Sequence, residues 1–436
     1  TLYSDAMKVA GTEPVTTLCP QSVCHGDSEV GHGFSLVRFK RFVKDAGIVY
    51  GQRVLPPFLR KRLPAVDQGW GGFAAVRDKF KQQLHDQVFS QQQAVITAAG
   101  RFVKSPDPMV QVVHALMPHA PWRLTPDERV APLSPEIGTQ NPDDEDGVRD
   151  TYQTFLYQLA ATDRAIAEVV TSLKKSGKWD STLFVLTADH GISFLPTMPQ
   201  RNTDFSDMDQ AEDIYRVPTF VKYPGQSAPR IEDCASSNLD LLPTINDVMG
   251  VESAWKFDGA SLAATCPRTG ARIVWSATGE KGRFESGFRA TRDRAAYYAG
   301  MVSDSGDARS IAAVGESAQL IGKPISSSVG SALAASWTVK QLPMFSAVSA
   351  SHGASVPTTV TGRVSMRSLA EEGTEGIIAI DGVAAGVIGE LAAQEGAVKY
   401  TAVLDYGLLT PGDHRLELFI RDRTGAITRV GAPTAG

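Results

Sequence analysis

One stretch decides how this chain folds: Thr182-Leu183-Phe184-Val185-Leu186-Thr187-Ala188-Asp189-His190-Gly191. Its first half, Leu183 to Thr187, is apolar or β-branched without helical spacing, which predicts a strand buried on both faces. The acid, imidazole and glycine that follow suit the carboxyl end of a parallel strand, where open α/β sheets place their ligands. Gly191 permits the turn that would bring Asp189 and His190 to one side of the chain.

Asp189 and His190 together make a candidate metal site. A carboxylate beside an imidazole is a common half-site for a divalent metal. The same triplet is equally typical of a strand end at which Asp189 caps a helix and His190 is simply hydrogen-bonded. The triplet alone leaves both interpretations open.

The sequence before this strand predicts a long amphipathic helix over residues 148–176, because apolar residues recur there at helical spacing. Gly177 follows as a stop signal. A helix that leads into a buried strand is one half of a βαβ crossover. The predicted fold class is therefore α/β, with a mostly parallel sheet and helices on both of its faces.

The last part of the chain has a different pattern. From about residue 348, short alternating runs recur without intervening helices, separated by turns such as Asp381-Gly382 and Thr424-Gly425. This spacing is typical of a small antiparallel β-sandwich. We therefore divide the chain into an α/β domain over 1–275, an irregular connecting region over 276–347, and a β-sandwich-like accessory domain over 348–436.

Three basic residues are candidates for binding an anion. His119 lies between Pro118 and Pro121, on a loop that we expect to be rigid and extended, just past a predicted strand over 109–114. His114 falls within that strand, where a satisfied core histidine is an equally good interpretation. Arg201 lies in the irregular stretch 192–216 and could bind an anionic group bidentately, or could be a solvated surface arginine.

Composition narrows the class of protein. A net charge of −5 over 436 residues disfavours a general nucleic-acid binder. Four cysteines form two local pairs, Cys19 with Cys24 and Cys234 with Cys266, which suits disulfides in an oxidising compartment. A four-cysteine zinc site and free buried thiols are the alternatives. The chain starts at Thr1 in mid-pattern, which we interpret as the start of a fragment.

Five segments along the chain form a recognisable set. They are, in order, His119-Ala120-Pro121-Trp122, Thr187-Ala188-Asp189-His190-Gly191, Val217-Pro218 through Tyr223-Pro224-Gly225, Leu239-Asp240-Leu241-Leu242-Pro243-Thr244, and Asp258-Gly259-Ala260-Ser261-Leu262. Together, over roughly residues 105–265, they resemble the sulfatase-like branch of the alkaline phosphatase superfamily, which includes arylsulfatases, phosphoethanolamine transferases and lipoteichoic acid synthases. A further segment, Leu18-Cys19-Pro20 to Cys24, resembles large membrane-anchored sulfatase-like proteins of actinobacteria.

The resemblance implies hydrolysis of a sulfate or phosphate ester through a covalent nucleophile, with the help of one or two divalent ions (Ca, Mg, Mn or Zn). Asp189 and His190 would carry over as metal ligands. His119 would face the sulfuryl or phosphoryl oxygens or the leaving group, with His114 as a weaker catalytic candidate. Arg201 would stabilise charge.

The chain also departs from this family pattern. The first strand with acidic metal ligands is not recognisable, and no Cys-x-Pro-x-Arg nucleophile motif occurs. We therefore expect a chain truncated at its N-terminus, catalytically inactive by itself, whose missing helices anchor the protein at the extracytoplasmic face of the membrane. The expected substrate is a sulfated or phosphorylated glycan or lipid. The alternatives are a phosphoethanolamine- or phosphoglycerol-type transferase acting on envelope glycans, and an inactive envelope-binding pseudoenzyme.

Overall fold

The computed structural model describes most of the chain in two units, Thr1–Pro121 and Trp122–Gly436. The described residues are 2–3, 36–60, 63, 92–131, 145–195, 205, 208–232, 235–263, 271–276, 280–284, 289–302, 308–326, 335–366, 374–391 and 397–436.

The first unit is mainly helical where it is described. It contains helices α1 (Leu36–Val54), α2 (Pro57–Arg60) and α3 (92–104), and strands β1 (Leu2–Tyr3) and β2 (Val112–Val113), which pair in parallel. The strand predicted over 109–114 is therefore reduced to two residues, and His114 follows it. Among the described residues, no helix combines the length and the apolar character that a membrane span requires.

The second unit has more elements. Its helices are α4 (Glu145–Lys175), α5 (Met208–Tyr215), α6 (Leu241–Val248), α7 (Arg289–Met301) and α8 (Ala308–Ala312). Its strands are β3 (Phe184–Thr187), β4 (Thr219–Lys222), β5 (Arg272–Trp275), β6 (Lys281–Phe284), β7 (Ala335–Val339), β8 (Thr359–Met366), β9 (Glu375–Ile380), β10 (Val383–Glu390), β11 (Ala397–Val403), β12 (Leu416–Arg421), β13 (Ile427–Arg429) and β14 (Thr434–Ala435).

The long predicted helix is confirmed as α4. It starts with Glu145 and Asp146 in its first turn and ends with Lys174 and Lys175 in its last, so that these charges complement the helix dipole. Gly177 stops the helix in the left-handed region, at φ +72. The amide of Lys178 then donates to Leu173 O at 3.1 Å, which satisfies a carbonyl at the helix end.

The strand predicted from the opening stretch forms as β3, but its surroundings differ from the prediction. It pairs antiparallel with β4, whereas we had placed it in a parallel sheet. All four of its residues are half-buried, so the expectation of burial on both faces is wrong. The reason is that, among the described residues, β3 and β4 form a two-stranded sheet, and its second strand leaves Phe220 62% exposed.

The C-terminal strands form two four-stranded sheets. One has the order β10-β9-β12-β13, and the other has the order β11-β8-β7-β14. All pairings within them are antiparallel except β7 with β14. The predicted antiparallel domain is thus present, and β7 adds a strand from within the region 276–347 that we had treated as irregular. Helices α7 and α8 also lie in that region.

The hydrophobic core of this domain lies between the two sheets. Ile378 and Ile380 of β9 point into it, whereas Ile377 and Ala379 point to the opposite face, as the period of two in a strand requires. The buried residues of this core include Trp337, Val360, Val364, Leu404, Leu418 and Ile420.

The outer face of the first sheet is covered as well. Ala312, Val314 and Ile321 pack against Ile377 and Phe419 on that face. The buried carboxylate of Glu375 fixes the covering segment, because it accepts the amides of Glu316 and Ser317, each at 2.9 Å. Strand β9 is consequently buried along its whole length.

We predict that Ile378→Ala destabilises the second unit by about 2–5 kcal/mol, because the substitution leaves a cavity in a closely packed core. Ile378 is 0% exposed. The matched control is Ile231→Ala, at a side chain that is 93% exposed. Urea denaturation followed by tryptophan fluorescence measures both. Equal midpoints for the two variants would contradict this assignment of the core.

An ion pair joins the β9–β10 turn to the start of β12. His414 Nδ1 lies 2.7 Å from Asp381 Oδ2, and His414 Nε2 lies 2.7 Å from Thr410 O. Burial favours the neutral form of each group. It is outweighed at His414 by the Thr410 carbonyl and Asp381, which raise the pKa of His414. It is outweighed at Asp381 by hydrogen bonds from Arg415 N and His414, which lower the pKa of Asp381.

The stabilisation from this pair should depend on pH. A raised His414 pKa gives stabilisation that is complete below the unfolded value of about 6.5 and is lost as the pH rises through the folded pKa. The lowered Asp381 pKa adds stabilisation that is lost in acid. A double-mutant cycle with His414→Gln and Asp381→Asn should therefore give a coupling of up to about 1 kcal/mol at pH 5.5 and almost none at pH 8.5. A coupling that is equal at both pH values would refute this account.

Candidate active site

The turn after β3 brings the side chains of Asp189 and His190 together. Asp189 Oδ1 accepts the amide of His190 at 2.9 Å, and Asp189 Oδ2 lies 3.9 Å from His190 Nε2. The Asp189 side chain is 76% exposed and that of His190 is 27% exposed. The predicted pair of donors is therefore one local unit that is open to solvent.

The tautomer of His190 suits metal binding. Its Nδ1 lies 2.8 Å from Gly191 O, so Nδ1–H donates to this carbonyl and Nε2 is the ring nitrogen left to bind an ion. A ring held through its other nitrogen in this way is typical of histidines that bind metals.

Geometry also allows Asp189 and His190 to share an ion. Two ligands that bind one ion at about 2.1 Å lie at most about 4.2 Å apart, and Nε2 and Oδ2 fall within this limit. Within the described part of the chain, no group of three or more His, Cys, Asp or Glu residues is placed to hold a metal. The described residues thus supply two fitting ligands.

Gly191 fits the turn closely against the last residues of α5. Its amide donates to Ile214 O at 2.7 Å. A Cβ added to Gly191 would lie 2.0 Å from Asp213 O, closer than any side chain tolerates. The glycine is therefore required for close approach of two backbone segments.

Asn238 supports the strand end from the other side, and the sequence analysis did not single it out. Its Nδ2 donates to Ala188 O at 2.8 Å. Asn238 begins the 3-10 turn Asn238–Asp240, directly before α6. The signal for it was weak, since an asparagine before a helix is ordinarily interpreted as a cap.

Asp240 is structural, although it belongs to one of the family segments. Its carboxylate is fully buried and accepts the amides of Ser237 at 2.7 Å and Ala260 at 2.9 Å. Thr244 Oγ1 likewise accepts the amide of Leu262 at 2.8 Å. The fourth and fifth family segments therefore pack together through buried polar groups that are satisfied by main-chain donors.

A cluster of aromatic rings holds the chain just after the turn. Phe194 packs against Trp122 at 5.7 Å, Phe155 at 5.0 Å and Tyr152 at 5.2 Å between ring centroids. Tyr298 from α7 stacks on Tyr152 at 5.3 Å. The cluster thus joins the segment after β3 to α4 and α7.

His119 and His114 belong to the first unit. His119 is exposed, its amide donates to Leu116 O at 2.6 Å, and its Nδ1 lies 2.6 Å from Ala120 O. It occupies a turn between two cis prolyl bonds, Met117-Pro118 and Ala120-Pro121, rather than the extended loop that we expected. His114 is half-buried. Their catalytic roles stay predictions.

Several predicted residues lie outside the described part of the chain. Arg201 is one of them, and its role stays a prediction. The four cysteines are the others, so the predicted disulfides are not tested. Of the predicted site residues, the structure brings together Asp189 and His190.

Comparison with known proteins agrees with the family resemblance. Residues 64–251 match the family model described as Sulfatase. Multifunctional alkaline phosphatase superfamily protein PehA of Trinickia caryophylli is 29% identical over 121 residues, which are 27% of this chain and 23% of that protein. Endo-4-O-sulfatase of Bacteroides thetaiotaomicron is 25% identical over 142 residues, 31% of this chain and 27% of that protein.

The match to a solved structure of a 2-O GAG sulfatase covers 47% of this chain and 53% of the sulfatase chain, at 18% identity and a TM-score of 0.34. The chain spans about a quarter of the length of the two curated relatives. It contains a sulfatase-like region related to the alkaline phosphatase superfamily.

We predict that Gly191→Ala separates the turn from α5 and lowers the melting temperature of the second unit, because a methyl group cannot fit against Asp213 O. The cost should be at least about 1 kcal/mol, the scale of a strained backbone position. The control is Gly300→Ala in α7, where a Cβ meets no atom within 4 Å and alanine favours the helix. Calorimetry measures both, and equal melting temperatures would be the contrary result.

Proposed function

We propose that this protein is a metal-dependent sulfate-ester hydrolase. The observation that carries the proposal is the pairing of Asp189 Oδ2 with His190 Nε2, 3.9 Å apart, within the residues that match the Sulfatase family model. A carboxylate oxygen and an imidazole nitrogen are a suitable donor set for Mn²⁺ or Zn²⁺, and less so for Mg²⁺ or Ca²⁺, which prefer oxygen ligands alone.

In this proposal the protein binds one or two divalent ions, and Asp189 and His190 hold one of them. A bound ion supplies Lewis-acid chemistry, which neutralises charge on the ester oxygens. The hydrogen bond from His190 Nδ1–H to Gly191 O keeps Nε2 as the ligand atom. His119 would present its imidazole to the ester oxygens or leaving group, and Arg201 would stabilise developing negative charge. His114 is a further candidate for the same anion.

The proposed substrate is a sulfated glycan. Two of the similar proteins carry sulfatase names that refer to defined sulfate positions, 4-O and 2-O. We extend the proposal to the cell envelope, with the protein held at the extracytoplasmic face of the membrane and related to membrane-anchored sulfatase-like proteins of actinobacteria. A covalent nucleophile, a disulfide-stabilised fold and action on a phosphate ester belong to the same family pattern.

We predict that the chain binds Mn²⁺ and that Asp189→Asn and His190→Gln each weaken this binding at least tenfold, since even residues behind metal ligands contribute about 10–100-fold. Asp163→Asn, an exposed carboxylate on α4, is the matched control and should bind as the wild type does. Titration of free Mn²⁺ by electron paramagnetic resonance measures each affinity. Equal affinities for all four proteins would exclude the turn as a metal site.

Activity is tested on the product of the complete reading frame that contains these 436 residues. We expect it to release phenol from an aryl sulfate, and Asp189→Asn to abolish this release, while Asp163→Asn retains it. If the protein turns over a phosphodiester and not the aryl sulfate, the proposed function changes from a sulfatase to a phospho-group hydrolase or transferase. Metal binding without turnover of either ester would favour the pseudoenzyme.

A further inference from the structure

The segment from Gly191 to Phe194 directly follows the turn that carries Asp189 and His190. Hydrogen bonds fix this segment at its first and at its last residue. The amide of Gly191 donates to Ile214 O at 2.7 Å. The amide of Phe194 donates to Tyr298 Oη at 3.0 Å. The first contact belongs to α5 and the second to α7, so the position of the turn depends on how these two helices are joined.

Helices α5 and α7 are joined by a buried cluster of Glu212, Asp213, Arg294 and Tyr298, which we call the α5–α7 cluster. Arg294 Nε donates to Asp213 Oδ1 at 2.6 Å, and its Nη2 lies 3.7 Å from Glu212 Oε2. The Asp213, Glu212 and Arg294 side chains are 5%, 6% and 11% exposed. Buried charges persist only when they are paired, so the cluster constrains both helices.

Tyr298 connects the cluster to the turn. Its hydroxyl donates to Asp213 Oδ2 at 3.2 Å and accepts the Phe194 amide. Burial, and then the Asp213 charge, raise the pKa of Tyr298 to about 12, so the hydroxyl stays protonated and able to donate at neutral pH. The same ring stacks on Tyr152 of α4, which keeps the hydroxyl in place.

We propose that Tyr298, acting with Asp213 and Arg294, is a positioning residue for the metal-ligand pair Asp189 and His190. Helix α7 lies beyond the residues that match the Sulfatase family model, so this contribution comes from outside the matched region. The inference rests on the proposed function, because it requires that the turn binds a metal.

Tyr298→Phe tests the inference, since it removes both hydrogen bonds of the hydroxyl and keeps the stacked ring. Tyr297→Phe is the matched control, the same change at the neighbouring position on α7, where the side chain is 42% exposed. Two quantities are measured on the full 436-residue chain: amide hydrogen exchange of Gly191 and Phe194 without metal, and the Kd for Mn²⁺ at the site that Asp189→Asn eliminates.

We expect Tyr298→Phe to speed exchange of the Phe194 amide and to raise the Kd for Mn²⁺ about tenfold, with the melting temperature close to that of Tyr297→Phe. Faster exchange with an unchanged Kd would overturn the inference and leave the proposed function intact. Unchanged exchange would overturn it as well. If the wild-type chain binds no Mn²⁺ at the turn, the proposed function fails and the inference fails with it.

Arg294 gives an independent check through a conservative variant. Arg294→Ala removes the cation that pairs with the buried Asp213 and should raise the Kd for Mn²⁺, whereas Arg294→Lys keeps the charge and should restore most of the affinity. Restoration by lysine supports the positioning role. An equal loss of affinity in both variants, at unchanged melting temperature, would show that the charge pairing does not position the turn.

Discussion

The structure of the second unit depends on helix α4, because the two faces of this helix contact different parts of the unit. On one face, Tyr157 reaches the β-sandwich core and donates its hydroxyl proton to Leu404 O at 2.6 Å. Burial holds the pKa of Tyr157 well above its ordinary value, so this donor is always protonated. On the other face, Tyr152 and Phe155 contact the ring of Phe194, just beyond the turn that carries Asp189 and His190. A single rigid helix therefore connects the accessory sheets with the candidate site.

The candidate site itself is held mainly by backbone contacts. Gly191 lies against Ile214 O, Asn238 binds Ala188 O, and the buried Asp240 collects main-chain amides from two family segments. None of these groups does chemistry. They fix the exposed Asp189 and half-buried His190 in one geometry, which would lower the entropic cost of binding the proposed ion.

The sequence predicted the elements whose signal is local. Helix α4 has a complete amphipathic period and a glycine stop, and the β9–β10 turn has the Asp381-Gly382 pair. Strand β10 was not predicted, because its sequence Val-Ala-Ala-Gly-Val-Ile-Gly-Glu does not alternate, since residues 384–389 are buried on both faces. The antiparallel pairing of β3 could not be predicted either, since the direction of a partner strand leaves no trace in the strand itself. Tyr298 was missed because its partners are about a hundred residues away in the sequence.

The connection between α4 and the sandwich has an evolutionary consequence. Tyr157 binds Leu404 O, and Arg129 binds Leu409 O and Tyr406 O, so in each case a side chain on one side meets a peptide carbonyl on the other. A carbonyl is present whatever residue carries it. The hydrogen bonds alone would tolerate any residue at the acceptor positions, but the side chains of Leu404, Tyr406 and Leu409 are buried in the sandwich core, so only other core-forming residues fit there. Homologues should show this asymmetry as constant donors facing acceptor positions that exchange one core residue for another, so that one sulfatase-like region could accept different sandwich cores over time.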